Sequence, residues 1–191
     1  ERVAVAISSY PFRFVLQYIQ DNAARAGSFF TNVKVPAILA NPDSAYVESS
    51  HLYCKGFFEA SLALGYRPSL VFLKRPANEI ALSLLRKSCV PGRTSAGKRF
   101  AIQPHPLNAL AIRDHGTLSD YQLCYWYALE IESRQDIYLQ VAENYGLAHA
   151  TIQTMQLNNP DACMAMLGRI GLADAAEIDQ LKKNWKPAAH N

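Results

Sequence analysis

Apolar positions along this chain fall into short continuous runs and longer stripes of helical spacing, and the two kinds alternate. Val3-Ala-Val-Ala-Ile7 is an apolar run of strand length, Ser8-Ser-Tyr-Pro11 reads as a turn, and Phe14-Val-Leu-Gln-Tyr-Ile19 opens a helix expected to reach about Arg25. From Ala26 to Asp43 the punctuation by Gly, Asn and Pro predicts loop, with room for a short strand over Val33 to Val35. A strand is predicted at Ala45-Tyr-Val-Glu48, and a helix from Phe57 to Leu64 with Gly65 as its C-cap. Leu70 to Leu73 is a second continuous apolar run after Ser69; it meets Lys74-Arg75-Pro76 and passes into helical spacing through Ile80, Leu82, Leu84 and Leu85.

The second half opens with a basic, Gly/Pro-punctuated segment from Arg86 to Asn108, predicted to be loop. Leu118 to Arg134 predicts a strong helix, capped by Ser119 or Asp120 and striped by Tyr121, Leu123, Cys124, Tyr127, Ala128 and Ile131. Ile137-Tyr-Leu-Gln-Val-Ala142 predicts another strand, Ala162 to Ile170 a helix ending at Gly171, and Ala173 to Asn184 a last helix. Strands alternating with helices imply right-handed parallel crossovers. The expected fold is an α/β three-layer sandwich with a mainly parallel central sheet, in one domain spanning 1–191.

Composition narrows the class. With 191 residues, half of them hydrophobic and 18% charged, the chain can bury a substantial core and is not a disordered segment. A net charge of +3 suits an anionic small molecule and is too small and scattered to argue for nucleic acid. The cysteines at 54, 89, 124 and 163 are too widely spaced for a zinc site or a secreted disulfide framework, so no metal is expected and a cytoplasmic setting is. No apolar run approaches the roughly 20 residues of a membrane span.

The chemistry concentrates where the second apolar run ends. Arg75 follows the carboxyl end of a predicted strand, the place where open α/β sheets bind ligands, and Ser83 lies two helical turns further on. A guanidinium offering forked donors and a hydroxyl adding a neutral one form a small phosphate clamp. The plainer alternative is an Arg75 pairing with Glu79 at i,i+4 and a Ser83 that is an ordinary helix residue.

Arg75-Pro-Ala-Asn-Glu-Ile-Ala-Leu-Ser83, after a strand ending in Leu73-Lys74, resembles the 3'-phosphate-binding segment of the PAPS-dependent sulfotransferases, which use 3'-phosphoadenosine 5'-phosphosulfate. The resemblance implies a P-loop-like α/β fold of the bacterial type, PAPS as co-substrate and PAP as product. It assigns Arg75 and Ser83 to the donor's 3'-phosphate. In Ser49-Ser-His-Leu52 it matches His51 to the family's general base, which removes a proton from the acceptor hydroxyl; help of this kind is worth about 10² to 10⁴ in rate. Many members carry a lysine where this chain has Ser49, so that cation is missing unless Lys55 or Lys74 approaches from elsewhere.

The resemblance places the 5'-phosphosulfate loop after Tyr10 and Pro11, yet the basic, Gly-containing middle of that loop is not in the sequence. Either the loop has been lost, and Arg13 is a partial substitute for its cation, or the sequence closes over it and Arg13 lies on the helix. The second is favoured because both flanks persist around an abnormally short connection. The C-terminal Arg-Lys-Gly-type motif of the animal cytosolic enzymes is also absent.

The acceptor is expected to be a hydroxyl of a small molecule, carbohydrate or lipid, with Phe29, Phe30, Tyr53 and Phe57 as candidate pocket aromatics. Glu143 loosely matches an acidic residue that follows a strand in the family. Two other readings compete: a catalytically inactive nucleotide-binding scaffold, and an ATP-dependent small-molecule kinase of the P-loop group. The kinase would use Gly92-Arg-Thr-Ser-Ala-Gly-Lys98, which nearly spells a Walker A loop but has no predicted strand before it and has Arg99 where the magnesium-binding hydroxyl belongs. His105, Asp114 and His115 have no spacing that specifies a reaction.

Overall fold

The computed structural model describes residues 3–7, 23–40, 45–49 and 53–185. Strand β1 (Val3–Ile7) comes first, followed by helix α1 (Ala23–Phe29), a π-helical turn over Phe30–Lys34 and helix α2 (Val35–Leu39). This helical stretch replaces the loop and short strand expected between Ala26 and Val35. Lys34, before α2, is itself helical (φ −71°, ψ −51°), so the stretch is continuous, and Pro36, which has no N–H to give, falls just after its π-helical turn. Burial supplies the rest: Ala26 and Phe30 pack with Phe57 and Ala60 in one cluster.

Strand β2 (Ala45–Ser49) pairs with β1 in parallel, Val3 opposite Ala45 and Ile7 opposite Ser49, so the chain runs out of both strands at the same end. A 3₁₀ turn over Tyr53–Lys55 leads into α3 (Phe57–Ala63). As predicted, Gly65 ends this helix: its φ of +85° lets the Gly65 N–H reach the Leu62 carbonyl at 2.9 Å and the Tyr66 N–H the Ser61 carbonyl at 3.0 Å, a Schellman closure. Phe57 and Phe58, adjacent and so about 100° apart around α3, bury in different places. Phe57 joins the α1 cluster, and Phe58 packs on Leu70 and Phe72 of strand β3 (Leu70–Lys74).

After β3, Pro76 stands at the N-cap of α4 (Ala77–Arg86). The expected loop beyond Arg86 contains a further helix, α5 (Ser95–Phe100), capped by Thr94, whose Oγ accepts the Gly97 N–H at 3.0 Å. The long helix α6 runs unbroken from Asp120 to Asn144, over 25 residues, opened by a reciprocal capping box between Ser119 and Gln122. The strand expected at Ile137–Ala142 is therefore part of α6. Tyr138 and Ala142, at i,i+4, are both buried against β3, whereas Gln140 between them is exposed; that is helical and not strand burial. No Gly or Pro interrupts the sequence until Gly146, at φ +63°.

The partner of β3 is instead β4 (His149–Gln153), parallel, with Leu70 opposite His149 and Lys74 opposite Gln153. Leu70 and Phe72 face α3 and α6, while the other face of the ladder carries Ile152, which packs on Cys163 and Met164 of α7 (Pro160–Arg169). Helix α8 (Ala175–Lys183), opened by an Asp174/Glu177 capping box, follows and contributes Ile178 to the same cluster. The described chain is thus mixed helix and strand, with parallel strand pairs and helices on both faces of the second pair. No helix among the described residues is long and apolar enough to cross a membrane.

Gly97 carries a steric demand unrelated to phosphate binding. A Cβ there would lie 1.8 Å from the Val90 carbonyl oxygen, a backbone atom that cannot swing aside. Gly97→Ala is expected to lower stability by about 2–3 kcal/mol, as overpacking against fixed atoms does. Urea unfolding of the variant measures it, and a change under about 0.5 kcal/mol would show that this close approach is not present in solution.

Candidate functional site

Strand β3 delivers Arg75 one residue beyond its carboxyl end, and α4 then presents Glu79, Leu82, Ser83 and Arg86 at i, i+3, i+4 and i+7, one face of the helix. These residues, with Arg75 and Lys87, line a surface depression of about 250 Å³. The structure thus brings Arg75 and Ser83 to the same concavity. It also realises the plainer alternative, because Arg75 Nε donates to Glu79 Oε2 at 3.0 Å. Both partners are half-exposed, so the pair contributes only about 0.3–0.5 kcal/mol and leaves the guanidinium available to a stronger acceptor.

Arg86 and Lys87 were not singled out in the sequence as site residues, yet they raise the cations of the depression from one to three. Neither forms an ion pair among the described residues, so three cations and one hydroxyl there face a single carboxylate. The signal that could have found Arg86 is its i+3 spacing from Ser83 and i+7 from Glu79.

Of the two lysines named as stand-ins for the cation that many sulfotransferases carry where this chain has Ser49, Lys74 pairs elsewhere, donating to Asp136 of α6 at 2.7 Å. Lys55 is buried, 3% exposed, and its Nζ donates to the Phe100 carbonyl at 2.7 Å and lies 5.3 Å from the centre of the Tyr127 ring. Desolvation pushes its ammonium down to about 8; the neighbouring thiols Cys54 and Cys89 oppose that shift and the Arg134 charge adds to it. It is absent from the depression at Arg75.

Tyr10, Pro11, Arg13 and His51 lie outside the described residues. Phe30 and Phe57 are core residues, and Phe29 stacks on Phe57 at 5.5 Å, so these rings pack on one another. Tyr53 shares its hydroxyl hydrogen bond with Ser61 at 2.8 Å. His105 Nδ1 accepts the Leu107 N–H at 3.2 Å and works as a turn residue, while Asp114 and His115 sit at an exposed 3₁₀ turn (His115–Thr117). Glu143 belongs to the last turn of α6.

The Walker-like segment is a capped helix approached through turn and not through a strand, which is not the setting of a phosphate-cradling loop. All four cysteines are thiols outside any disulfide, and no group of three or more His, Cys, Asp or Glu among the described residues could hold a metal ion. Comparison of the chain with family models, with curated proteins and with solved structures gives no match.

Because the folded value of Lys55 lies below the ordinary 10.5, the unfolded chain binds the extra proton between pH 8 and 10, and this residue's contribution to stability rises with pH across that window. The stability of the wild type relative to Lys55→Met is expected to increase by about 2 kcal/mol from pH 8 to pH 10. Paired urea titrations measure the difference, in which the shared ionisations of Tyr and Cys cancel. A flat difference would mean that Lys55 is solvated.

Proposed function

We propose that the chain is a sulfotransferase that moves a sulfuryl group from PAPS to a hydroxyl of a small-molecule, carbohydrate or lipid acceptor. The observation that carries the reading is the basic depression in which Arg75 and Ser83 meet, at the family's spacing, beyond the carboxyl end of a parallel strand. In this reading the 3'-phosphate accepts hydrogen bonds from the Arg75 guanidinium and the Ser83 hydroxyl, and Arg86 and Lys87 add positive potential around it.

Chemistry would take place at the other strand pair. The acceptor oxygen attacks sulfur as its proton passes to His51, and the bond between sulfur and the phosphate oxygen of the donor breaks in line, releasing PAP. The parallel register supports a common location for the segments after Ile7 and Ser49, since both leave the ladder at one end. Tyr10 and Pro11 would begin the 5'-phosphosulfate loop, with Arg13 beyond it. No metal step is invoked; positioned donors around the transferring group would supply most of the acceleration, as in phosphoryl transfer.

The fold that goes with this reading is a three-layer, P-loop-like sandwich in which the two parallel ladders belong to one sheet, in a cytoplasmic enzyme. Supporting it are the helices on both faces of the β3–β4 pair and the bridging role of α3, whose Phe57 and Phe58 reach the α1 side and β3 respectively. Four cysteines outside any disulfide accord with a reducing compartment.

Calorimetric titration with PAP, AMP and ATP tests the donor site. PAP is expected to bind in the micromolar range, at least tenfold tighter than AMP, and Arg75→Ala to lose about tenfold of that affinity, a loss typical of one charge-assisted contact. Glu79→Gln, which frees the guanidinium and removes the one opposing charge, is expected to tighten PAP about threefold at low salt. If PAP binds no better than AMP, the chain is not a working PAPS enzyme and the inactive scaffold takes its place; ATP binding dependent on magnesium would favour the kinase.

A further inference from the structure

A second concavity, of about 290 Å³, is lined by Lys55, Leu84, Cys89, Phe100, Ala101 and Tyr127. It lies against the same helix as the Arg75 depression but on another side, since Leu84 enters this one while Leu82 and Ser83 enter the first. Its walls are an aliphatic side chain, two aromatic rings and a methyl group. Its one full charge is the Lys55 ammonium.

Charges this deeply buried are ordinarily paired, because removing an ion from water costs several kcal/mol unless a counter-charge repays it. The described protein follows that rule elsewhere. Lys34 is matched by Glu48, and Arg134 by the fully buried Glu130 at 2.6 Å. Lys55 has no carboxylate partner among the described residues, and its one hydrogen bond uses a single ammonium proton, on the Phe100 carbonyl.

The groups around Lys55 are neutral or already paired. Cys54 beside it and Cys89 across the cavity are thiols that burial pushes up, hence neutral near pH 7. Tyr127 on α6 is likewise held neutral by burial. Arg134, on the same helix, is a cation whose charge Glu130 already answers. Glu59, whose charge reaches Cys54 and Arg134, accepts from the Tyr138 hydroxyl, and Lys87 beside Cys89 is a further cation; among the described residues no carboxylate pairs with Lys55. The Tyr127 hydroxyl also makes no hydrogen bond to any described residue, leaving a neutral donor in the cavity lining.

We propose that this cavity binds a small apolar carboxylate, whose carboxylate accepts from the Lys55 ammonium while its hydrocarbon body lies against Leu84, Phe100 and the Tyr127 ring. The volume is at the lower end of ligand pockets, about 300 Å³, which restricts the ligand to roughly the size of a single substituted ring. A neutral analogue would keep the apolar contacts and lose the charge that the site lacks. The proposal does not rest on the sulfotransferase reading, and the two fail separately.

Phenylacetate is a suitable probe, with phenylacetamide as its neutral counterpart. At pH 7 phenylacetate is expected to bind at least tenfold tighter than the amide, and Lys55→Met to remove about that factor, as loss of a buried charged hydrogen bond does. Binding favours the protonated amine, whose free value is about 8. Wild-type affinity is therefore expected to be nearly constant below pH 7.5 and to fall about tenfold per unit above pH 8.5, with about 0.9 proton taken up per phenylacetate bound at pH 9. Calorimetry in buffers of different ionisation enthalpy reads that uptake on the unmodified protein, so the test stands even if Lys55→Met does not fold.

Arg75→Ala is expected to leave phenylacetate affinity within twofold, and Lys55→Met to leave PAP affinity within twofold. Equal binding of acid and amide, or no binding of either, or a wild-type affinity unchanged from pH 7 to pH 9.5, would overturn the proposal. So would phenylacetate binding that is abolished by Arg75→Ala and retained in Lys55→Met, because the acid would then occupy the other depression.

Discussion

The described structure is organised by the burial of one helix. Helix α6 is 25 residues long, about 37 Å at the standard rise, and no stretch of it is left to solvent on all sides. Its first turns bury Leu123 and Cys124 against Ala81 of α4 and Val90. Its last turns bury Tyr138 and Ala142 against Leu70 and Phe72 of β3. Arg75 therefore sits where a strand and a helix, both packed on α6, turn into one another. The depression it lines inherits its geometry from that packing, because the Arg75–Glu79 ion pair is too weak to impose one.

The middle of α6 adds a polar constraint. Glu130, fully buried, accepts the Ala109 and Leu110 N–H groups at 3.2 and 2.6 Å and is paired with Arg134, while Trp126 Nε1 donates to the Leu110 carbonyl at 2.8 Å. These bonds hold the segment after α5 onto α6. Removing one partner of such a buried pair costs about 3–5 kcal/mol, because the other charge is left without an answer. The satisfied Glu130 and the unanswered Lys55 share the same neighbourhood, and the contrast between them is the physical content of the second cavity.

Local pattern was readable where it decided the structure. The sequence Leu70 to Leu85 predicts strand, turn and helix, and β3 and α4 follow, because an apolar run, a proline at the boundary and an amphipathic stripe all agree. It misled where burial overrode punctuation. Gly27, Asn32 and Pro36 read as loop, but Ala26 and Phe30 have α3 to pack against, and the proline falls just after a π-helical turn in the same run. Ile137 to Ala142 reads as a strand after a helix expected to end at Arg134; in the structure Gln135 and Asp136 between them are partly exposed and exposed positions of one helix. Strand β4 was invisible since His149, Thr151 and Gln153 alternate with only two buried apolar residues, Ala150 and Ile152. Arg75 and Ser83 were legible from spacing. Lys55 was named only as a possible stand-in, since burial without a partner has no sequence signature.

Charge bookkeeping separates the cations that stabilise the fold from those that remain for a ligand. Lys34, Lys74, Arg93, Arg134 and Lys182 are each matched by a carboxylate, on Glu48, Asp136, Asp120, Glu130 and Asp161. Arg75 is matched only by a half-exposed neighbour, and Arg86, Lys87 and Lys55 by none among the described residues. All four of these line concavities, and α4 contributes to the walls of both. A net charge of +3 is too small to speak for anion binding by itself. The gathering of four described cations in two hollows is what gives it direction: one hollow is multiply cationic, the setting the proposed phosphate contact needs, and the other is apolar with a single buried ammonium, the setting proposed for a small carboxylate.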